Sequence, residues 1–187
     1  MTEEQKFPGE DSFISHLVAL RNCIMKSALA IVAVFLCMMP WSGHIYDLLA
    51  APMMAALPAG SKMIATGVIT PFVIPLKVTL LAAFIVALPW VLYQVWSFVA
   101  PGLYAHEKKL VAPLVVSSSV LFITGVAFCY EFVFNVVFNV IYQLAPKSIM
   151  VAPDIESYFD FVMTMFIAFG LTFEVPVVVV VLVRMGW

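Results

Sequence analysis

YQVWSFVAPGLYAHEKK, residues 93–109, closes one long apolar run, bears a single carboxylate at Glu107, and opens onto another apolar run. Pro101-Gly102 suits the two central positions of a type II turn, because Pro presets its φ and Gly accepts φ > 0. The stretch therefore predicts a short hairpin between two long helices. Tyr93, Trp96, Phe98 and Tyr104, with Lys108 and Lys109, are the residue types that gather at a membrane face.

Working outward, the 187 residues are 64% hydrophobic and 11% charged, with a mean hydropathy of +1.09. Soluble domains are about half apolar and a quarter charged, so this composition is that of a membrane protein. A net charge of −2 implies no bulk attraction to nucleic acid as a partner, and no basic cluster suggests a phosphate-binding surface. Cys23, Cys37 and Cys129 are odd in number and far apart, so they read as small buried hydrophobes rather than a disulfide or metal set. His16, His44 and His106 lack metal spacing. The first residues are acidic and lack the basic start of a cleavable signal, so the first span is expected to remain as an anchor.

Four long apolar runs are expected to cross the bilayer, at about 24–41, 71–99, 110–134 and 158–183, since crossing needs roughly 20 residues. Residues 1–23 form an interfacial segment of the same single domain. Within it, Phe13, Leu17, Leu20 and Ile24 recur at helical spacing after a capping Asp11 or Ser12. This segment reads equally as a helix lying in the interface or as the start of the first span. Pro71, Pro75 and Pro89 in the second run predict a kinked, protein-packed helix. Lys6, Arg21, Lys26, Lys108, Lys109 and Arg184 fall on one side and only Lys62 and Lys147 in loops on the other. The positive-inside rule then places the N-terminus and the hairpin in the cytoplasm. Residues 43–67 and 135–157 are long enough to cap the outer ends, with an amphipathic turn around Ile45–Leu49.

Charges inside a span mark function or a specific partner. Glu174 lies about 16 residues into the fourth run, roughly 24 Å from its outer end, and Pro176 weakens the helix beside it. It reads as a polar spot in a groove for a partner helix or substrate, against the plainer reading of a protonated acid bonded to a freed carbonyl. Lys77, Glu131 and Asp160 come to similar depth, so Lys77 is expected to pair with Glu131 or Asp160 as structural glue. Ser117, Ser118 and Ser119 have no His within any span to activate them, which excludes a serine protease. No catalytic residues are assigned.

The ordered series HLVALR (16–21), APMM (51–54), MIATGVITPF (63–72), YQVWSFVAPGLY (93–104) followed by His106-Glu107, VSSSVLF (116–122) and FIAFGLTFEVPV (166–177) resembles the TatC family. TatC is the multispanning receptor subunit of the twin-arginine protein translocase, and the resemblance covers residues 15–187. It implies an all-α polytopic protein of the bacterial inner membrane that is not an enzyme and needs no cofactor. The implied activity is recognition of twin-arginine signal peptides on folded cargo, which move across the membrane on the proton-motive force. The implied partners are TatA- and TatB-type single-span subunits, further copies of itself and the lipid bilayer.

Carried over by position, the resemblance makes Glu107 the carboxylate that meets the arginine pair, with Phe98, Leu103, Tyr104 and Arg21 around it. It marks Pro52, Phe72 and Tyr130 as functional on the outer side, and Glu174 as the intramembrane glutamate. Guanidinium pairs bidentately with carboxylate and stacks on aromatic faces, so the chemistry is coherent. Ala19 stands where the family has Glu, which predicts weaker signal binding unless Glu10 or Asp11 substitutes. Glu131 and Asn135 are also atypical, and the sequence reaches four spans where the family has six. The competing readings are a proton-coupled transporter or channel subunit carrying its proton on Glu174, and a structural membrane scaffold.

Overall fold

Lipid offers no hydrogen bonds to a backbone, so each apolar run must satisfy its own amides as a helix. The computed structural model describes residues 8–57, 62–103, 111–144 and 152–184, and within these not the side chains of 8–13, 100–103, 142 and 184. Helix α1 is Pro8–Met38, α2 Ser42–Ala56, α3 Thr70–Leu103, α4 Val111–Phe128, α5 Phe134–Leu144 and α6 Ile155–Arg184. A 3₁₀ turn, Met39–Trp41, joins α1 to α2, and a π-helical turn, Cys129–Val133, joins α4 to α5. Four continuous helical segments are long and apolar enough to cross a membrane: Ile14–Ala56, Thr70–Val99, Val111–Ile141 and Ile155–Val183. The described residues form no β-strand, only one isolated bridge.

Two local expectations change. Pro101 and Gly102 lie in the last turn of α3, not in a type II turn. A proline there forfeits one hydrogen bond near a helix end, and continuing the helix keeps the other carbonyls paired. The connection to α4 falls at 104–110, outside the described residues. At the N-terminus, α1 begins at Pro8, upstream of Asp11 and Ser12. Proline suits a first helical position because its missing N–H would have no partner there. The segment before Ile24 is thus the first half of one unbroken helix.

The third run, expected to end near residue 134, stays helical to Leu144. The amphipathic turn expected around Ile45–Leu49 is part of the 15-residue α2.

Helix α3 is the hub, touching α1, α2, α4 and α6, while α4 lies along α6. Two glycines set that second approach. A Cβ on Gly125 would sit 2.7 Å from the Phe169 carbonyl oxygen, and one on Gly170 would sit 2.5 Å from the Phe122 ring. Small residues let helices approach closely where apolar burial from water supplies no drive. The ends of the bundle differ. At the cap end, α2, α5 and the starts of α3 and α6 bury Phe134, Phe138, Phe159 and Phe166. At the open end, where α1 begins and α3 finishes, the buried cluster is Trp96, Val115, Val177 and Val181.

Candidate functional site

At the open end, the N-terminal half of α1 meets the C-terminal end of α3. The rings of His16 and Phe98 lie 4.4 Å apart between centroids, which binds the N-terminal segment to the 93–103 stretch. Arg21 stands little more than a turn further along α1, exposed, and Ala19 is exposed between them. Leu103 closes the α3 backbone. Tyr104 and Glu107 lie outside the described residues, in the connection that begins at the next position.

Deeper in the bundle, Glu174 is buried on α6 at 8% exposure. Trp96 Nε1 of α3 donates to Ser118 Oγ of α4 at 3.2 Å, and the Ser118 side chain faces the Glu174 carboxyl. The indole can only donate, so Ser118 Oγ is the acceptor of this bond. Three helices thereby contribute to one buried polar cluster, in which Glu174 Oε1 has no described hydrogen-bond partner.

Residue types alone did not reveal Ser118, because its neighbours look identical. Ser117 bonds back to the Leu114 carbonyl at 3.0 Å and Ser119 to the Val115 carbonyl at 2.7 Å. Only Ser118 reaches across.

At the cap end, Pro52 and Tyr130 meet through a third residue. Pro52 lies inside α2 and has no N–H for the carbonyl four positions back, that of Leu48. The Tyr130 hydroxyl donates to that carbonyl at 2.8 Å. Beside it, the Tyr158 hydroxyl donates to Leu49 O at 2.6 Å, a latch absent from the sequence-level set. Phe72 does not join them; it is 68% exposed at the start of α3.

Of the three residues expected to form an intramembrane ion pair, two meet. Lys77 Nζ lies 3.3 Å from Asp160 Oδ1 and 4.0 Å from Glu156 Oε1. Glu131 is exposed in the π turn and makes no ion pair with any described residue. The helical register of α6 explains the exchange: Glu156 is one turn before Asp160 on the same face.

Above them, Asp154 takes the Ser157 N–H at 3.0 Å as the cap of α6, and the Thr66 hydroxyl at 2.9 Å. The Ser157 amide first, then the Thr66 side chain, hold the Asp154 carboxyl below its ordinary range. Backbone bonds between Ile64 and Pro153 (3.0 Å) and between Ile155 and Ile64 (2.9 Å) tie the two cap segments together.

Four long apolar helices, internally hydrogen-bonded and two of them joined by a buried Trp96–Ser118 bond, define a multi-pass helical membrane protein. Residues 15–187 match the family model described as "Sec-independent protein translocase protein (TatC)", and the chain belongs to the TatC family. It is 50% identical over 178 residues to the TatC of Halothiobacillus neapolitanus, covering 95% of this chain and 49% of that one. To the Escherichia coli K12 TatC it is 47% identical over 173 residues, covering 92% and 67%. A crystal structure of the twin-arginine translocase receptor TatC superimposes with a TM-score of 0.82 at 32% identity, covering 91% of this chain and 75% of that one. The chain thus spans about half the length of the first relative and two thirds of the second.

Proposed function

We propose that this chain supplies the signal-peptide-receiving face of a twin-arginine translocase in the bacterial inner membrane, with its N-terminus and its open end in the cytoplasm. The observation that carries the reading is the contact of His16 with Phe98. It brings the N-terminal helix, with Arg21, against the end of α3, from which the chain leads into Tyr104 and Glu107. In this reading Glu107 pairs with the arginines of the signal peptide, and the Phe98 ring, Leu103 and Tyr104 wall the site. Charge pairing of a planar guanidinium with a carboxylate beside an aromatic face supports it.

TatA- and TatB-type helices and further copies of the chain assemble along the exposed apolar membrane-spanning faces, with Glu174 buried behind them. The chain is a transport component, in keeping with the translocase proteins it resembles. The test is photocrosslinking of a twin-arginine signal peptide to a probe at Phe98. Glu107→Gln and an Arg-Arg to Lys-Lys peptide should each lower the yield about tenfold, and Ala19→Glu should raise it. Undiminished crosslinking in Glu107→Gln would sink the assignment.

A further inference from the structure

A crevice of about 390 Å³ runs between α3 and α6 at membrane depth. Lys77, Leu80, Leu81 and Phe84 form its α3 wall, Met163, Ile167 and Leu171 its α6 wall, and Phe122 of α4 its floor. The spacing on each wall is that of one helix face, so the crevice follows the helices for several turns. Its lining is apolar throughout except at one end. There Lys77 stands between Asp160 and Glu156, with all three side chains partly exposed.

Two physical problems meet at this place. An apolar crevice open sideways in a bilayer forfeits dispersion contacts unless something fills it. One ammonium between two carboxylates also leaves a net negative charge within the first two turns of α6, where the Thr70 hydroxyl donates to Glu156 at 3.2 Å and, among the described residues, Asp160 has Lys77 alone as its cation. A single molecule answers both if its head brings N–H donors to the carboxylates without adding net negative charge and its tail is apolar.

We infer that the crevice binds a phospholipid with a primary-amine head group. Its ammonium donates to Asp160 and Glu156, its phosphate accepts from the remaining N–H groups of Lys77, and one acyl chain lies against Leu80, Phe84, Ile167 and Leu171. A primary ammonium has three N–H donors for the carboxylates. A quaternary choline has none, and an anionic glycerol head group adds to the existing negative charge. The site is at the cap end, away from the signal-peptide face, and does not depend on which side of the membrane holds the N-terminus.

The experiment is native mass spectrometry of the purified chain after equilibration with equimolar phosphatidylethanolamine, phosphatidylcholine and phosphatidylglycerol of matched acyl chains. The ethanolamine lipid should be retained about fivefold over the other two, and Asp160→Asn should erase that preference. Ile167→Trp, which fills the crevice, should lower retention of all three. Equal retention of the three lipids by the wild-type chain overturns the inference without any variant having to fold. So does a preference that survives Asp160→Asn. A photoreactive residue in place of Ile167 that labels polypeptide and not lipid in membranes would make the crevice a helix-docking surface instead, and would equally overturn it.

Discussion

The two ends of this bundle are built on different principles. Among the described residues the cap-end cluster contains thirteen buried side chains and the open-end cluster four. Phe134 stacks on Phe138 at 5.5 Å and on Phe166 at 5.3 Å, and tyrosine hydroxyls and an aspartate knot fasten the segments around them. At the open end α1 packs along α3, and among the described residues one tilted ring contact, His16 on Phe98, links them. The cap end gathers four helices around one aromatic cluster, whereas the open end buries a smaller one around Trp96.

The sharpest way to break this contrast is Phe134→Ala. A fully buried ring lost from the centre of the cap cluster should cost about 3–5 kcal/mol, read as a fall in thermal unfolding temperature in detergent. Unchanged unfolding would mean that the cap does not carry the bundle. Next in size is Gly170→Ala. Its Cβ would press on the Phe122 ring, for an expected loss of about 1–3 kcal/mol. Shortening the ring in a Phe122→Leu background should recover part of the loss, whereas strictly additive losses would place the strain elsewhere.

The hydroxyl latches sharpen the comparison on a finer scale. Tyr130→Phe should cost about 1 kcal/mol, since it leaves the Leu48 carbonyl without the donor that Pro52 cannot supply. In a Pro52→Ala background residue 52 regains its own N–H, and the same tyrosine change should cost measurably less. A coupling of about 0.5–1 kcal/mol in that double-mutant cycle is expected, and zero coupling would dissolve the link between the two residues.

The smallest effect concerns pH. Asp154 is held below its ordinary value near 3.8 by the Ser157 amide and then the Thr66 hydroxyl. Its stabilisation is therefore complete above the unfolded value and is lost as the pH falls through the lower folded one. Asp154→Asn should flatten the acid limb of the stability curve below about pH 4; identical limbs would remove the aspartate knot from the comparison.

Much of this was legible in the residues themselves. Apolar runs of about 20 residues become helices whatever they pack against, because a bilayer leaves the backbone no other partner. That is why four long apolar helices, the all-α fold and the ordered motifs of the TatC family could be read directly. Local punctuation was less legible. Pro101-Gly102 has the chemistry of a turn, yet the helix runs through it, since the medium rewards a helix that a soluble protein would end.

Sequence alone determined the composition, the number of long apolar helices, the family and the residue types available to the site. Tertiary structure alone decided who meets whom. Lys77 takes Asp160 and Glu156 rather than Glu131, and one serine of three bonds across to Trp96. A proline and a tyrosine nearly eighty residues apart share one carbonyl. The reason is physical: helix formation in lipid depends on each segment's own backbone, whereas pairing across helices depends on rotation and register, which packing around residues such as Gly125 and Gly170 sets.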